Sequence, residues 1–337
     1  MLLQGILGLK YRFVVSILVG WAIVYVIIFY RELCRLDILK ANNVFFTRVK
    51  SRHKKSVIIS LDRTANCSAL NPDILLYNRI FKTGSTSMRK WFTSFQHNRQ
   101  FHLEFATTEQ WYDHKKKHVF PGIIARHAKT MLSKAEVKRY IFMAHFYFRS
   151  RIKVPYQYIY INQVRDPVRR VISHFFYMHR SKNRPKRRLR EMRRNGHLKE
   201  TFEQCLKLQH EGCERNVMTR FFCGKHSYCK GGSTRALQRA KSNIVRHYAS
   251  VGLLEHLDVY KQILHKRLPG FVPHNAMQYV FKVKVNPRYN SSEVSENTLN
   301  EIRKLNAADI KLYDFIQKRF WRQAKACGIY TNSTISV

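Results

Sequence analysis

The stretch Lys82-Thr83-Gly84-Ser85-Thr86-Ser87 packs one cation, four hydroxyls and a glycine into six residues. It follows the apolar run "ILLYNRI" and precedes a helix-like stretch from Met88. A strand that ends in a tight turn before a helix aims backbone N–H groups at an anion. Lys82 adds a charge there, Thr83, Ser85, Thr86 and Ser87 add donors, and Gly84 lets the backbone approach closely. The implied chemistry is phosphate binding, but without the G-x-x-x-x-G-K-[ST] spacing of a nucleoside-triphosphate loop. A Ser/Thr-rich helix start with no ligand would read the same way.

Three further groups could do chemistry beside it. In "RDPVRRVISHF", Arg165 ends an extended segment and Ser173 lies on the helix that follows. Seven residues separate Asp166 from Ser173, about two turns and roughly 10 Å along one face. An extended Arg165 covers much of that distance, so Arg165 and Ser173 could grip one phosphate from two sides. His145, in "FMAHFYF", has the titration range that suits a general base, although it is one of 16 histidines. The run "RSKNRPKRRLREMRR", Arg180 to Arg194, carries nine basic residues against one acidic. It reads either as a solvated basic loop or as an anion-gripping surface, with Arg184 and Arg190 as candidate contacts. Arg79 sits just ahead of the hydroxyl-rich loop.

These residues need elements to hold them. "ILLYNRI" and "YQYIYINQV" read as buried strands. Asp166 followed by Pro167 is a helix start, a capping carboxylate and then proline in the first turn. Val168, Val171, Ile172, Phe175 and Phe176 then repeat at helical spacing. "STRALQRAKSNIVRHY" and "HLDVYKQILHKRL" are helix candidates with the short strand "YASVGLLE" between them. "SENTLNEIRKLNAADIKLYDFIQKRFWRQAKACG" reads as one long helical stretch. Strands alternating with helices predict an α/β domain built on a mainly parallel sheet.

The 337-residue chain carries 62 Lys+Arg against 21 Asp+Glu, a net charge of +41. Self-repulsion of that size calls for a polyanionic partner: nucleic acid, an anionic membrane or an acidic polysaccharide. Phe13 to Tyr30 holds no charge and would span roughly 27 Å, close to a bilayer core, which predicts a retained single-pass anchor. N-x-[ST] sequons at Asn66, Asn290 and Asn332 suggest a lumenal C-terminal side. Cys205/Cys213 and Cys223/Cys229 are close pairs that read as local disulfides; zinc is the rival reading, weakened by the lack of C-x-x-C spacing. Cys67 and Cys327 are left as candidates for a third bridge, and Cys34 lies at the membrane edge. The anchor, sequons and paired cysteines argue against nucleic acid.

Taken together, strand–K-T-G-S-T-S–helix followed by strand–R-D-P–helix–Ser resembles the sulfotransferases that use 3′-phosphoadenosine-5′-phosphosulfate (PAPS). "YNRIFKTGSTS", "YINQVRDPVRRVISHFFY", "FFCGKHSYC" and "VGLLEHLDVYKQILHKRLP" are similar, in the same order, to stretches of the uronyl/heparan sulfate 2-O-sulfotransferases. The resemblance implies a P-loop-like α/β domain at 71–337 after a cytoplasmic tail at 1–12, an anchor at 13–30 and a lumenal stem at 31–70, in a type II Golgi membrane protein. It implies that residues 82–87 bind the 5′-phosphosulfate, with Lys82 also catalytic. Arg165 and Ser173 would bind the 3′-phosphate, His145 would be the general base, and Arg79 would contact the acceptor. The scheme requires no metal. The acceptor would be a glycosaminoglycan, heparan or dermatan/chondroitin sulfate, and the chain a homo-oligomer. Heparan sulfate members carry a His-Gly-His pattern where this chain has Met143-Ala144-His145. The rival reading is a membrane-anchored polyanion-binding protein that keeps the fold without the activity.

Overall fold

A computed structural model describes residues 57–58, 65–96, 101–106, 119–180, 186–278 and 294–330. The predicted anchor, Arg184, Asn290 and Asn332 lie outside them. Among the described residues no helix is long and apolar enough to cross a membrane.

Among the described residues six strands form one sheet: β1 (Val57–Ile58), β2 (Ile74–Asn78), β3 (Phe101–Phe105), β4 (Arg139–Ala144), β5 (Gln157–Val164) and β6 (Tyr248–Leu253). Their order is β1-β5-β2-β4-β3, with β6 also pairing β5, and every pairing is parallel. Every residue of β2 and β6 is buried, as are all but the first of β4 and β5, which requires cover on both faces of the sheet. β3 forms one edge and is only partly buried.

The helices are α1 (Ser85–Phe95), α2 (Val119–Leu132), α3 (Pro167–Arg180), α4 (Lys186–Arg194), α5 (Phe202–Leu208), α6 (Val217–Cys223), α7 (Thr234–His247), α8 (Leu257–Arg267), α9 (Glu296–Leu305) and α10 (Ala307–Ala326). The predicted strands and α3, α7 and α8 form where the patterns put them. Asp166 caps α3 as read: its Oδ1 accepts the Arg169 N–H at 2.8 Å.

Two expectations change. The terminal helical stretch breaks at Asn306 into α9 and α10. Asn306 Oδ1 accepts the Asn216 N–H at 3.0 Å, and Asn216 Oδ1 accepts the N–H groups of Ala308 and Asp309, both at 3.1 Å. Asp309 in turn accepts the first-turn N–H groups of α6, Met218 at 2.9 Å and Thr219 at 2.7 Å. The two helices thus cap each other, and the cap requires the break. The basic run is not all loop, because residues 186–194 form α4. The region of the paired cysteines is largely helical, with Cys205 on α5 and Cys223 on α6.

The cysteines pair as Cys205–Cys213, Cys223–Cys229 and Cys67–Cys327, with Cα–Cα distances of 5.8, 5.7 and 5.0 Å. All six are committed as disulfides, which removes the zinc reading for them. Cys34 lies outside the described residues.

Beneath the C-terminal ends of β2 and β5 lies a buried polar network. Asn162 Nδ2 donates to the Asn78 carbonyl (2.7 Å) and Oδ1 (2.9 Å), and the Tyr248 hydroxyl also reaches Asn78 Oδ1 (3.0 Å). The Tyr260 hydroxyl donates to the Asn162 carbonyl at 2.7 Å. The Asn162–Asn78 bond ties the two neighbouring strand ends together, and the two tyrosines brace it, so the loops that leave those ends are held in place.

Candidate active site

β5, β2 and β4 are neighbours, and each releases one candidate group from its C-terminal end: Arg165 after β5, the 79–84 loop after β2, and His145 after β4. The chain crosses from one side of β2 to the other here, and at such crossover points parallel sheets bind ligands.

The loop after β2 closes tightly. Lys82 and Gly84 both take left-handed backbone, with φ of 64° and 83°. A Cβ on Gly84 would overlap Leu254 Cδ1 and lie 2.7 Å from Gln163 Nε2, so both conformation and space call for glycine. Gln163 Nε2 ties the loop to β5 by donating to the Thr83 carbonyl at 2.7 Å. The Thr83 hydroxyl turns inward to the Ile80 carbonyl at 3.1 Å. It therefore helps to build the turn. Ser85 is buried, Ser87 half-buried and Thr86 exposed. α1 begins with no side-chain cap and no acidic residue in its first turn, which leaves the positive end of the helix available to an anion.

The surrounding cations are crowded. The Lys82 ammonium lies 4.0 Å from the centroid of the Tyr177 ring on α3. Burial, and then the charge of Arg165, lower its pKa to about 8. Burial also lowers the pKa of Arg165. Ser173 is buried on α3, one turn before Tyr177. Lys82 is thus a half-buried cation whose charge the neighbouring Arg165 opposes, and a bound anion would favour its charged form.

His145 is 9% exposed. Its Nδ1 lies 3.0 Å from the Arg79 carbonyl, which can only accept, so Nδ1 carries the proton and Nε2 keeps its lone pair. Burial, and then the Arg79 charge, hold its pKa well below 6.5, so the ring is neutral near neutral pH. Phe81 stacks flat on His145 at 4.0 Å and lies parallel to His174 at 5.3 Å. Arg79 is buried beside His145 because Asn78 pairs with Ala144 in the sheet. Its guanidinium lies over Phe105, 4.4 Å from the ring centroid, and Arg89 lies 4.3 Å from the same centroid. Burial pulls the Arg79 pKa down to about 10. Past Phe105 a cavity of about 500 Å³ is lined by Arg89, Lys90, Thr93, Ser94, Gln96, Leu103 and Phe105.

Loop, Arg165, Ser173, His145 and Arg79 thus gather at one end of the sheet. Arg190 is exposed on α4. Asn66 accepts a hydrogen bond from the Arg267 guanidinium at 2.8 Å. Sequence reasoning missed Phe81, Gln163, Tyr177 and Arg89. Phe81 and Arg89 flank the loop and were legible as an aromatic and a cation beside it. Gln163 and Tyr177 act through sheet pairing and helix packing, which carry no local signal.

A model described as the sulfotransferase family matches residues 71–316. The Drosophila melanogaster protein named heparin sulfate O-sulfotransferase is 29% identical, over 73% of this chain and 72% of its own length. Heparan sulfate 2-O-sulfotransferase 1 of Xenopus laevis is 30% identical, over 63% of this chain and 60% of its own. The protein of the same name from Mus musculus is 28% identical, over 73% and 70%.

Proposed function

We propose a function from one premise: the chain belongs to the sulfotransferase family. It moves a sulfuryl group from PAPS to the 2-hydroxyl of a uronic acid in a glycosaminoglycan. Heparan sulfate is the first acceptor to test, because the similar proteins are named for it, and dermatan/chondroitin sulfate the second. The observation that carries this reading is the tight loop of left-handed Lys82 and Gly84 at the uncapped start of α1, with the Lys82 ammonium held over Tyr177 of the helix that follows Arg165.

The residues fit such a donor. The N–H groups opening α1 and Lys82 would hold its 5′-phosphosulfate, and Arg165 with Ser173 its 3′-phosphate. The donor supplies the sulfuryl group and a phosphate as leaving group. His145 Nε2, whose lone pair is kept by the Nδ1 bond to the Arg79 carbonyl, takes the proton of the acceptor hydroxyl. Phe81 keeps the imidazole flat and in place. Lys82 and the loop N–H groups stabilise the charge that gathers on the leaving oxygen. Arg79, Arg89 and Lys90 offer the acceptor's carboxylates and sulfates a cationic path from His145 into the cavity beside α1, and Arg184 and Arg190 extend the grip.

Golgi residence, the lumenal orientation, an anchor at 13–30, a stem at 31–70 and assembly of like chains belong to the same reading. The three disulfides support an oxidising compartment. The test is incubation of the full-length chain with ³⁵S-labelled donor and a panel of desulfated glycosaminoglycans, followed by disaccharide analysis. A chain cut at residue 70 would lose Cys67 and its bridge to Cys327. Label on uronyl C2 is expected. Label elsewhere keeps the enzyme class and removes the regiochemistry, whereas binding without label leaves a polyanion-binding protein. Arg165→Ala should weaken donor binding itself.

A further inference from the structure

The turn after β6 touches both anion grips. β6 runs parallel to β5, with Gln163 opposite Gly252 and Val164 opposite Leu253. The residues that follow, Arg165–Asp166 on one strand and Leu254–Glu255 on the other, therefore continue side by side. Leu254 backs the first grip, because its side chain fills the space that a Cβ on Gly84 would need. Glu255 holds the second. Its Oε1 accepts the Asp166 N–H at 3.0 Å, and its Oε2 accepts the Tyr313 hydroxyl of α10 at 3.2 Å. Each carboxylate oxygen thus accepts one hydrogen bond, and Glu255 also acts on Arg165 as a nearby negative charge.

We propose, on the premise of the donor site argued above, that Glu255 is a positioning residue for the nucleotide. Through Asp166 it fixes where Arg165 leaves β5. With Leu254 it sets the span between the phosphate at Lys82 and the phosphate at Arg165 and Ser173. A nucleotide phosphorylated at both the 5′ and 3′ positions bridges that span, and one phosphorylated only at 5′ does not sense it. Tyr313 ties the span to the C-terminal helix.

The test is calorimetric titration of the full-length chain with 3′-phosphoadenosine 5′-phosphate and with adenosine 5′-monophosphate. The wild-type chain should prefer the bisphosphate. Glu255→Ala should cut that preference about tenfold and leave monophosphate affinity within about twofold. Glu255→Gln keeps an oxygen for the Asp166 N–H and should retain the preference within about threefold. Tyr313→Phe removes one tether while keeping ring and carboxylate, and should lower the preference about threefold. An unchanged preference in Glu255→Ala, or equal weakening of both nucleotides, overturns the proposal. If that variant does not fold, an unchanged preference in Tyr313→Phe does so. A wild-type chain that binds both nucleotides equally refutes the donor reading itself and takes this inference with it.

Discussion

His145 gains its chemistry from one hydrogen bond and one ring. The Arg79 carbonyl fixes the tautomer and Phe81 fixes the plane, so His145→Ala should remove about 10²–10⁴-fold of turnover while titrated donor binding stays within about twofold. The pH dependence follows from two lowered pKa values with opposite consequences. The His145 base is lost only as pH falls well below 6.5, and the Lys82 cation is lost as pH rises through about 8. The kcat/KM for donor, which reports the free enzyme, should therefore hold level from mildly acidic pH to about 8 and then fall by one proton. Lys82→Arg, which stays charged, should remove the alkaline fall. The residue types at this site were readable in the chain, and their arrangement was not. Arg79 and His145 lie 66 residues apart, and a tautomer is chosen by what the fold brings to the other ring nitrogen.

At the scale of elements, a local pattern was enough wherever one segment carried its own signal. Apolar runs ended by Lys82-Thr83-Gly84 or by Arg165-Asp166-Pro167 announce a strand, a turn and a helix start within about a dozen residues. Elements shaped by distant partners escaped that reading. α4 has nine residues dominated by Lys and Arg and offers no broad apolar stripe to count. The break at Asn306 depends on Asn216, 90 residues away. That reciprocal cap should matter to stability. Asp309→Ala strips two N–H groups at the start of α6 of their acceptor and should cost about 2–3 kcal/mol in urea unfolding. Asp309→Asn, which keeps one acceptor oxygen, should cost less.

At the scale of the whole molecule, composition anticipated a polyanionic partner but gave no geometry for it. The excess of +41 charges makes bound polyanion a stabilising ligand that salt weakens. The Cys67–Cys327 bridge joins residues 260 apart. Replacing both cysteines by serine should lower unfolding free energy by about 2–4 kcal/mol, since a long closed loop restricts the unfolded chain. Denaturant melts of the two forms, with the inner bridges intact, check this. The same bridge makes the domain a covalent ring. A protease that cuts once anywhere between Cys67 and Cys327 opens the ring but releases no fragment. Nicked protein would migrate as one species until reduced, and the two pieces would stay close enough to remain paired.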